Sequence, residues 1–492
     1  MANLPIAFNS GATIPGTTQY GNIAVGTENF NISAYSDRNW YYAPTNLSGW
    51  TIFSDTGVIW GDANPIPTFW VAPDFTSDSL INLVNQLPNR NGIVAPITTS
   101  GDAVSWLSTN GYYTNDPVSF IPLIMSFATT TANESIVLPF IRGGYYEGTI
   151  SWGDGTTSNS SYDNRTHIYS TAGTYTVTVS GRCEGFTFEP SLGSSYTKVR
   201  SVTQWGNMLF GSNRQGTDSY FQGCSGLDLT AVSDVPSTSG LTNWWEMFRD
   251  RTQGNPSINR LNEWDTSSAT AMGLMYNRNF SWNQNIGNWN VSNVSLFTQM
   301  FFRAGSFNNG GSDTIKNWNT SAATSMAAMF YQTSFNQPIT GWNVSNVTNM
   351  SQMFQQTPFN HPIDSWNVSK VTNMGSMFYG CTSFNQPLSS WTTSACTNMS
   401  NMFYGATAFN QDIGNWNVSN VTNFTNFMGT KTDLTFSSSN LDSIYIGWSS
   451  RPVQPNVSIS FGTAKYTSAG AAGKAVLTGS PNNWTITDGG QI

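Results

Sequence analysis

Charge is what this chain most lacks. Only 9% of its 492 residues are Asp, Glu, Lys or Arg, against about 25% in ordinary globular proteins. The net charge is −8 and the sequence pI ≈ 4.7. No cluster of Lys and Arg offers the cationic surface that phosphate backbones require, which argues against a nucleic-acid partner. Apolar runs never approach the roughly 20 residues of a membrane-spanning helix. The opening, MANLPIAFNSGATIPG, has neither a basic n-region nor a continuous apolar h-region, so a secretory signal is not expected.

Cysteine and histidine are equally scarce. Cys183, Cys224, Cys381 and Cys396 are too few and too scattered for a disulfide framework and are expected to be small buried hydrophobes. His167 and His361 have no Cys, Asp or Glu at metal-ligand spacing. No nucleophile–base pair is visible, and no glycine-rich phosphate loop occurs. The chain therefore reads as a non-enzyme with no cofactor and no metal. Asp154, in a WGDG turn, is expected to cap that turn rather than hold an ion.

What the chain has instead is a repeat. Trp264, Trp289, Trp318, Trp342, Trp366, Trp391 and Trp416 follow at steps of 25, 29, 24, 24, 25 and 25 residues, the period of a leucine-rich-repeat solenoid. Apolar residues at Trp−3 (Leu261, Ile286, Ile315, Ile339, Ile363, Leu388, Ile413) and Trp+2 (Val291, Val344, Val368, Val418) bracket a short predicted strand. Val347, Met350, Met353 and Phe354 predict a helical or 3₁₀ turn with one buried face. A further aromatic, Phe335, Phe359, Phe384 or Phe409, closes each coil. Stacking would bury about five or six large side chains per coil, each contributing roughly 1.5–3 kcal/mol, and both ends would need caps. The longest step contains Asn309, Gly310, Gly311, Ser312 and Asp313, expected to bulge as a loop.

On this reading Trp+1 points outward, so Asn290, Asn319, Asn343, Asn367 and Asn417 form a stripe with a rung about every 4.8 Å. A neutral face rich in donors and acceptors suits hydroxyl-rich glycans, and solenoid faces are where such proteins bind. The same stripe could merely keep a weakly charged array soluble. The N-x-S/T triplets at Asn290, Asn343, Asn346, Asn367, Asn417 and Asn420 have the form of glycosylation sequons. Their repeat phase has a simpler cause in Asn side chains bonded from coil to coil as ladders.

Residues 124–197 read as an all-β unit. Its WGDG turn (Trp152 to Gly155) and AGTYTVTV strand resemble the PKD domain, which implies an immunoglobulin-like β-sandwich. Residues 198–430 open with VRSVTQWGNMLF and continue through WNVSNVTNMSQMF and FNQPI. They resemble the BspA-like leucine-rich-repeat family of surface proteins, whose members are typically extracellular adhesins. Residues 431–492 resemble that family's terminal cap. Residues 1–123 are rich in Gly, Pro, Thr and aromatics, with helical candidates at SDSLINLVNQLPN and SGDAVSWLSTNGYY. They are similar to N-terminal segments of phage structural and tail-fibre proteins.

The fold class expected is mainly β: a small mixed N-terminal attachment or assembly domain, a PKD-like sandwich, a leucine-rich-repeat solenoid and a cap. The function expected is a non-enzymatic virion-surface protein of fibre or decoration type, displaying the solenoid for host-surface or glycan attachment. Residues 1–123 would join it to other virion proteins, with a homo-oligomer allowed for. A bacterial cell-surface adhesin and a purely structural capsid or tail decoration protein are the alternatives.

Overall fold

The computed structural model describes residues 121–188, 195–210, 220–238, 240–250 and 257–492, together with a short parallel pair, Phe69–Trp70 with Ile97–Thr98. Both helical candidates of the N-terminal module lie outside the described residues. Residues 121–492 form one unit, mainly β with few helices.

The unit begins with β1 (Leu123–Thr129), β2 (Glu134–Val137), β3 (Phe140–Ser151), β4 (Thr157–Asn159), β5 (Thr166–Tyr169) and β6 (Gly173–Phe186). Leu123, Met125 and Phe127 of β1 and Val177 and Val179 of β6 all turn inward, as a period of two requires. The main sheet runs β4-β3-β6-β1-β7, with β7 (Val199–Gln204) at its far edge. β8 (Met208–Leu209) joins β6 in parallel at Cys183 and Glu184, and β2 pairs with β5 separately. Where β3 and β6 cross, Gly148 faces Gly181, both at positive φ. A Cβ on either would lie 2.2 Å from a backbone oxygen of the opposite strand, an approach that only glycine permits.

β7 comes from the segment assigned by sequence to the first coil. It pairs antiparallel with β1, while its Ser201 is bridged in parallel to Asp228. The β unit and the first coils thus share a sheet rather than a linker.

Parallel bridges then connect coil to coil through Asn243, Ala271, Leu296, Ser325, Asn349, Asn373, Asn398 and Asn423. From Ala271 onward they fall seven residues after each Trp, in the T-N-M segment, and this corrects the predicted strand. Around each Trp the chain bonds to itself: Trp342 N–H donates to the Ile339 carbonyl (3.2 Å) and Val347 N–H to Val344 (2.9 Å). Beyond Trp+5 it bonds to its neighbours instead. Thr348 N–H donates to Thr324 of the preceding coil (2.9 Å). Met350, Gln352 and Phe354 donate to Asn373, Gly375 and Met377 of the next (2.9, 2.9 and 3.0 Å). The inside–outside alternation around Trp is real, since Trp342 and Val344 are buried while Gly341 and Asn343 are exposed. It belongs to turns, not to a paired strand.

The Met–Phe run is not helical either. Gln352 and Gln356 are left-handed (φ 59 and 55), and the equivalent residues Gln299 and Arg303, Ala328 and Gln332, Ser376 and Gly380, Asn401 and Gly405 are left-handed too. The change of hand keeps the segment open enough to bond both neighbours while Met350, Met353 and Phe354 stay fully buried, as expected. Two aromatic rows result. Phe301, Phe330, Phe354, Phe378 and Phe403 stack at 5.5 to 5.9 Å, and Phe307, Phe335, Phe359, Phe384 and Phe409 at 6.0 to 6.2 Å.

A left-handed conformation costs a non-glycine residue about 1–2 kcal/mol. Ser376→Gly is therefore expected to hold or slightly raise the melting temperature, and Ser376→Val to lower stability by about 2 kcal/mol. In a helical turn the glycine would be harmful by about 1 kcal/mol. A lower melting temperature for the glycine variant would reject the left-handed assignment.

The expected loop in the longest step is partly internal. Asn309 is fully buried, and its Oδ1 accepts from Ile286 N–H at 2.9 Å. At the far end, α1 (Ser438–Ser449), β9 (Ser458–Ser460), α2 (Ser468–Thr478) and β10 (Thr485–Thr487) close the stack. β9 continues the bridges from Phe424 to Ile459 and pairs in parallel with β10. Helix α1 delivers Trp448, whose Nε1 donates to the Ile413 carbonyl (3.1 Å) as the tryptophans of earlier coils do. The joint is tight: a Cβ on Gly447 would lie 1.9 Å from the Gly414 carbonyl oxygen. No helix among the described residues is long and apolar enough to cross a membrane.

Candidate functional site

The five residues of the expected ligand face occupy equivalent turns in separate coils. Asn290, Asn319, Asn343 and Asn367 are exposed and Asn417 is half-buried. Each closes its own turn: Oδ1 accepts from the backbone N–H two residues on, at Ser292, Ser321, Ser345, Ser369 and Ser419, at 3.0 to 3.1 Å. This is the local turn that Asn favours. Their Nδ2 groups have no hydrogen-bond partner among the described residues, so the row offers donors.

The coil-to-coil ladders use other asparagines. At Trp+4, Nδ2 of Asn293, Asn346 and Asn420 donates to the Ser267, Ser321 and Ser394 carbonyls of the preceding coils (2.9, 2.9 and 2.7 Å). After each closing aromatic, Oδ1 of Asn283, Asn308, Asn336, Asn360, Asn385 and Asn410 accepts from the backbone of the next coil at 2.8 to 3.1 Å. The indoles form a third ladder: Nε1 of Trp289, Trp342 and Trp391 donates to the Leu261, Ile315 and Ile363 carbonyls (2.9, 2.9 and 3.0 Å). His361 belongs to this lattice, with Nε2 3.1 Å from the Asn336 carbonyl, where Gln386 and Gln411 contact Asn360 and Asn385.

Asp154 caps its turn as expected, Oδ1 accepting from Thr156 N–H (3.0 Å) and Oγ1 (2.6 Å). Sequence did not reveal its second partner, His167, whose Nε2 lies 2.7 Å from Oδ2 and whose ring stacks on Trp152 at 4.8 Å. Burial works against the charge, but the Thr156 hydroxyl, the His167 ring and the Thr156 amide together bring the carboxyl down to about 2. All four cysteines are free and buried, as expected. Burial pushes the Cys381 and Cys396 thiols up to about 12, so both stay protonated and unreactive at neutral pH. Among the described residues no three His, Cys, Asp or Glu side chains converge to hold a metal.

One outward row went unread in the sequence. Directly after the Met–Phe pairs of five successive coils stand Phe302, Tyr331, Gln355, Tyr379 and Tyr404; after the earlier pair Met247 and Phe248 stands Arg249. The four aromatic residues are half-buried, while Gln355 is buried with an unpartnered Oε1. Phe302 stacks on Tyr331 at 4.4 Å and Tyr379 on Tyr404 at 5.3 Å. The signal was present in MFFR, MFYQ, MFQQ and MFYG, but a helical reading of the run gives this position no face of its own.

A family model described as "Mycoplasma protein of unknown function, DUF285" matches residues 216–334, 312–360 and 331–441. The array is therefore similar to DUF285-type repeats across residues 216–441. Its matched residues hold all seven repeat tryptophans, Trp264 to Trp416, and both aromatic rows. No curated protein and no solved structure matches the chain.

Proposed function

We propose that the chain is a non-enzymatic surface protein whose DUF285-type repeats form a leucine-rich-repeat solenoid displayed for attachment to a host surface or its glycans. In this reading residues 1–123 join it to other virion proteins, and the β unit, PKD-like, is a stiff spacer. The observation that carries it is the exposed row from Asn290 to Asn417, a line of neutral donors in an array with few charges. The family match supports a surface repeat protein and lends no support to the virion in particular; a bacterial cell-surface adhesin fits it no worse. The two share a binding face and differ in what anchors it.

Asn343→Asp with Asn367→Asp tests the face. Each carboxylate keeps an oxygen for the Ser345 or Ser369 N–H, so the turns stand while two outward donors are lost. Stability should change by less than about 0.5 kcal/mol, as for most surface substitutions, and adsorption of the full chain to host cells should fall about tenfold. Unchanged adsorption would make the row a solubility feature. A full chain that adheres to no cell would leave the structural decoration protein as the remaining reading. Immunogold labelling of purified particles separates virion from cell surface.

A further inference from the structure

We propose that the row from Phe302 to Tyr404 is a subsite for an uncharged glycan, centred on Gln355 between Tyr331 and Tyr379. The proposal rests on the attachment reading and names the edge and the ligand chemistry.

Three observations meet there. Outward positions elsewhere on the T-N-M segment are mostly small or polar (Asn, Gln, Ser, Thr, Ala or Gly, with Leu296 an exception), yet this register is aromatic in four of the five coils from Met300 to Phe403, after Arg249 and Asn277 in the two coils before them. The rings are half-buried, not part of the core, and the hydroxyls of Tyr331, Tyr379 and Tyr404 have no partner among the described residues. Leaving aromatic surface in water forgoes the stabilisation that burial would give.

The row is also interrupted. Its rings stack in two pairs, Phe302 with Tyr331 and Tyr379 with Tyr404. Gln355, in the coil between, leaves Tyr331 and Tyr379 without an aromatic neighbour on that side in this register. Finally, Gln355 is only 9% exposed and its Oε1 accepts no hydrogen bond. A buried unpaired acceptor costs about 1–3 kcal/mol, and a ligand donor would remove that cost. The tyrosines on either side are not pinned by hydrogen bonds, so they can turn aside to admit it.

Aromatic rings beside an amide, without a carboxylate, match a neutral sugar. Its C–H face packs on a ring while its hydroxyls meet amide and phenol groups. A hydroxyl donates and accepts, so it serves Gln355 in either amide orientation. Of the cations at this edge, Arg303 already donates to Gln332 (3.0 Å) and lies over the Phe302 ring at 5.4 Å, and Arg278, one coil before, lies 3.8 Å from the Asp250 carboxylate.

The test titrates the full chain with maltohexaose, cellohexaose, mannohexaose and chitohexaose by calorimetry. At least one should bind. Gln355→Tyr completes the row with the residue of the neighbouring coils; it should keep or raise the melting temperature while affinity falls at least tenfold. Tyr379→Ala, with folding checked by circular dichroism, should weaken binding similarly. Failure of all four sugars to bind the wild type, or unchanged affinity in Gln355→Tyr, overturns the proposal. If the wild-type chain still adheres to host cells in either case, attachment stands and occurs elsewhere on the surface. If it neither adheres nor binds a sugar, both readings fall.

Discussion

Trp366→Ala is expected to cost about 3–5 kcal/mol, the range for removing a large aromatic from a packed core. Trp366 is 3% exposed, its indole lies 6.4 Å from the Phe354 ring, and Nε1 donates to the Ile339 carbonyl of the preceding coil at 3.4 Å. Alanine leaves a cavity and breaks one rung of the indole ladder. Each coil buries its side chains against its neighbours, so a mid-array defect weakens two interfaces at once. Guanidinium denaturation followed by fluorescence and circular dichroism measures the loss. An unchanged midpoint would show that the indole is not part of the core.

Wild-type stability is expected to rise between about pH 8 and pH 10, and Lys431→Met to abolish that rise. Lys431 stands fifteen residues after Trp416, in the register of Thr333, Thr357, Cys381 and Ala406. It is 1% exposed, and Nζ donates to the Ala406, Thr407 and Phe409 carbonyls at 2.5, 3.1 and 2.6 Å. Burial pushes its ammonium from 10.5 down to about 8. Above pH 8 the folded chain has released this proton while the unfolded chain still holds it, so stability increases with pH. The gain is at most about 3 kcal/mol at 1.36 kcal/mol per pKa unit. Near pH 10 it is opposed by Tyr146, Tyr169 and Tyr445, whose phenols burial pushes up. Denaturant midpoints at pH 7, 8, 9 and 10 provide the measurement. A flat wild type, or an equal slope in the methionine variant, would place the charge in water.

The period and the core of the array were legible because burial is periodic in side-chain type. Trp342, Val344, Val347, Met350, Met353, Phe354 and Phe359 are all buried, and their spacing alone points each of them inward. The position of the bridges was not legible. Trp-Asn-Val-Ser alternates like a strand, but its backbone groups are satisfied by turns and by Asn Oδ1, which composition does not reveal. Left-handed residues were hidden because the sequence uses Gln, Ser and Asn there as well as glycine. Of the asparagines over which the ladder and stripe readings compete, those at Trp+4 bond from coil to coil while those at Trp+1 close local turns and face outward. Lys431 gave little warning, since the register is filled mostly by Thr, Cys and Ala; only Asn279, buried and donating Nδ2 to the Phe248 carbonyl (2.6 Å), foreshadows a buried donor there.

The shared sheet between β7 and the first coils has a mechanical meaning. Hydrogen bonds that join one coil to the next point along the stack, so a pull along that direction opens them in sequence instead of shearing them together. A coil that lets go frees 24 to 29 residues, about 80–100 Å of chain at roughly 3.3–3.6 Å per residue. The β unit holds one end within the same run of bonds, and the Gly414–Gly447 joint clamps the other. A molecule held at both ends and pulled along the stack would therefore lengthen one coil at a time, each step dissipating load.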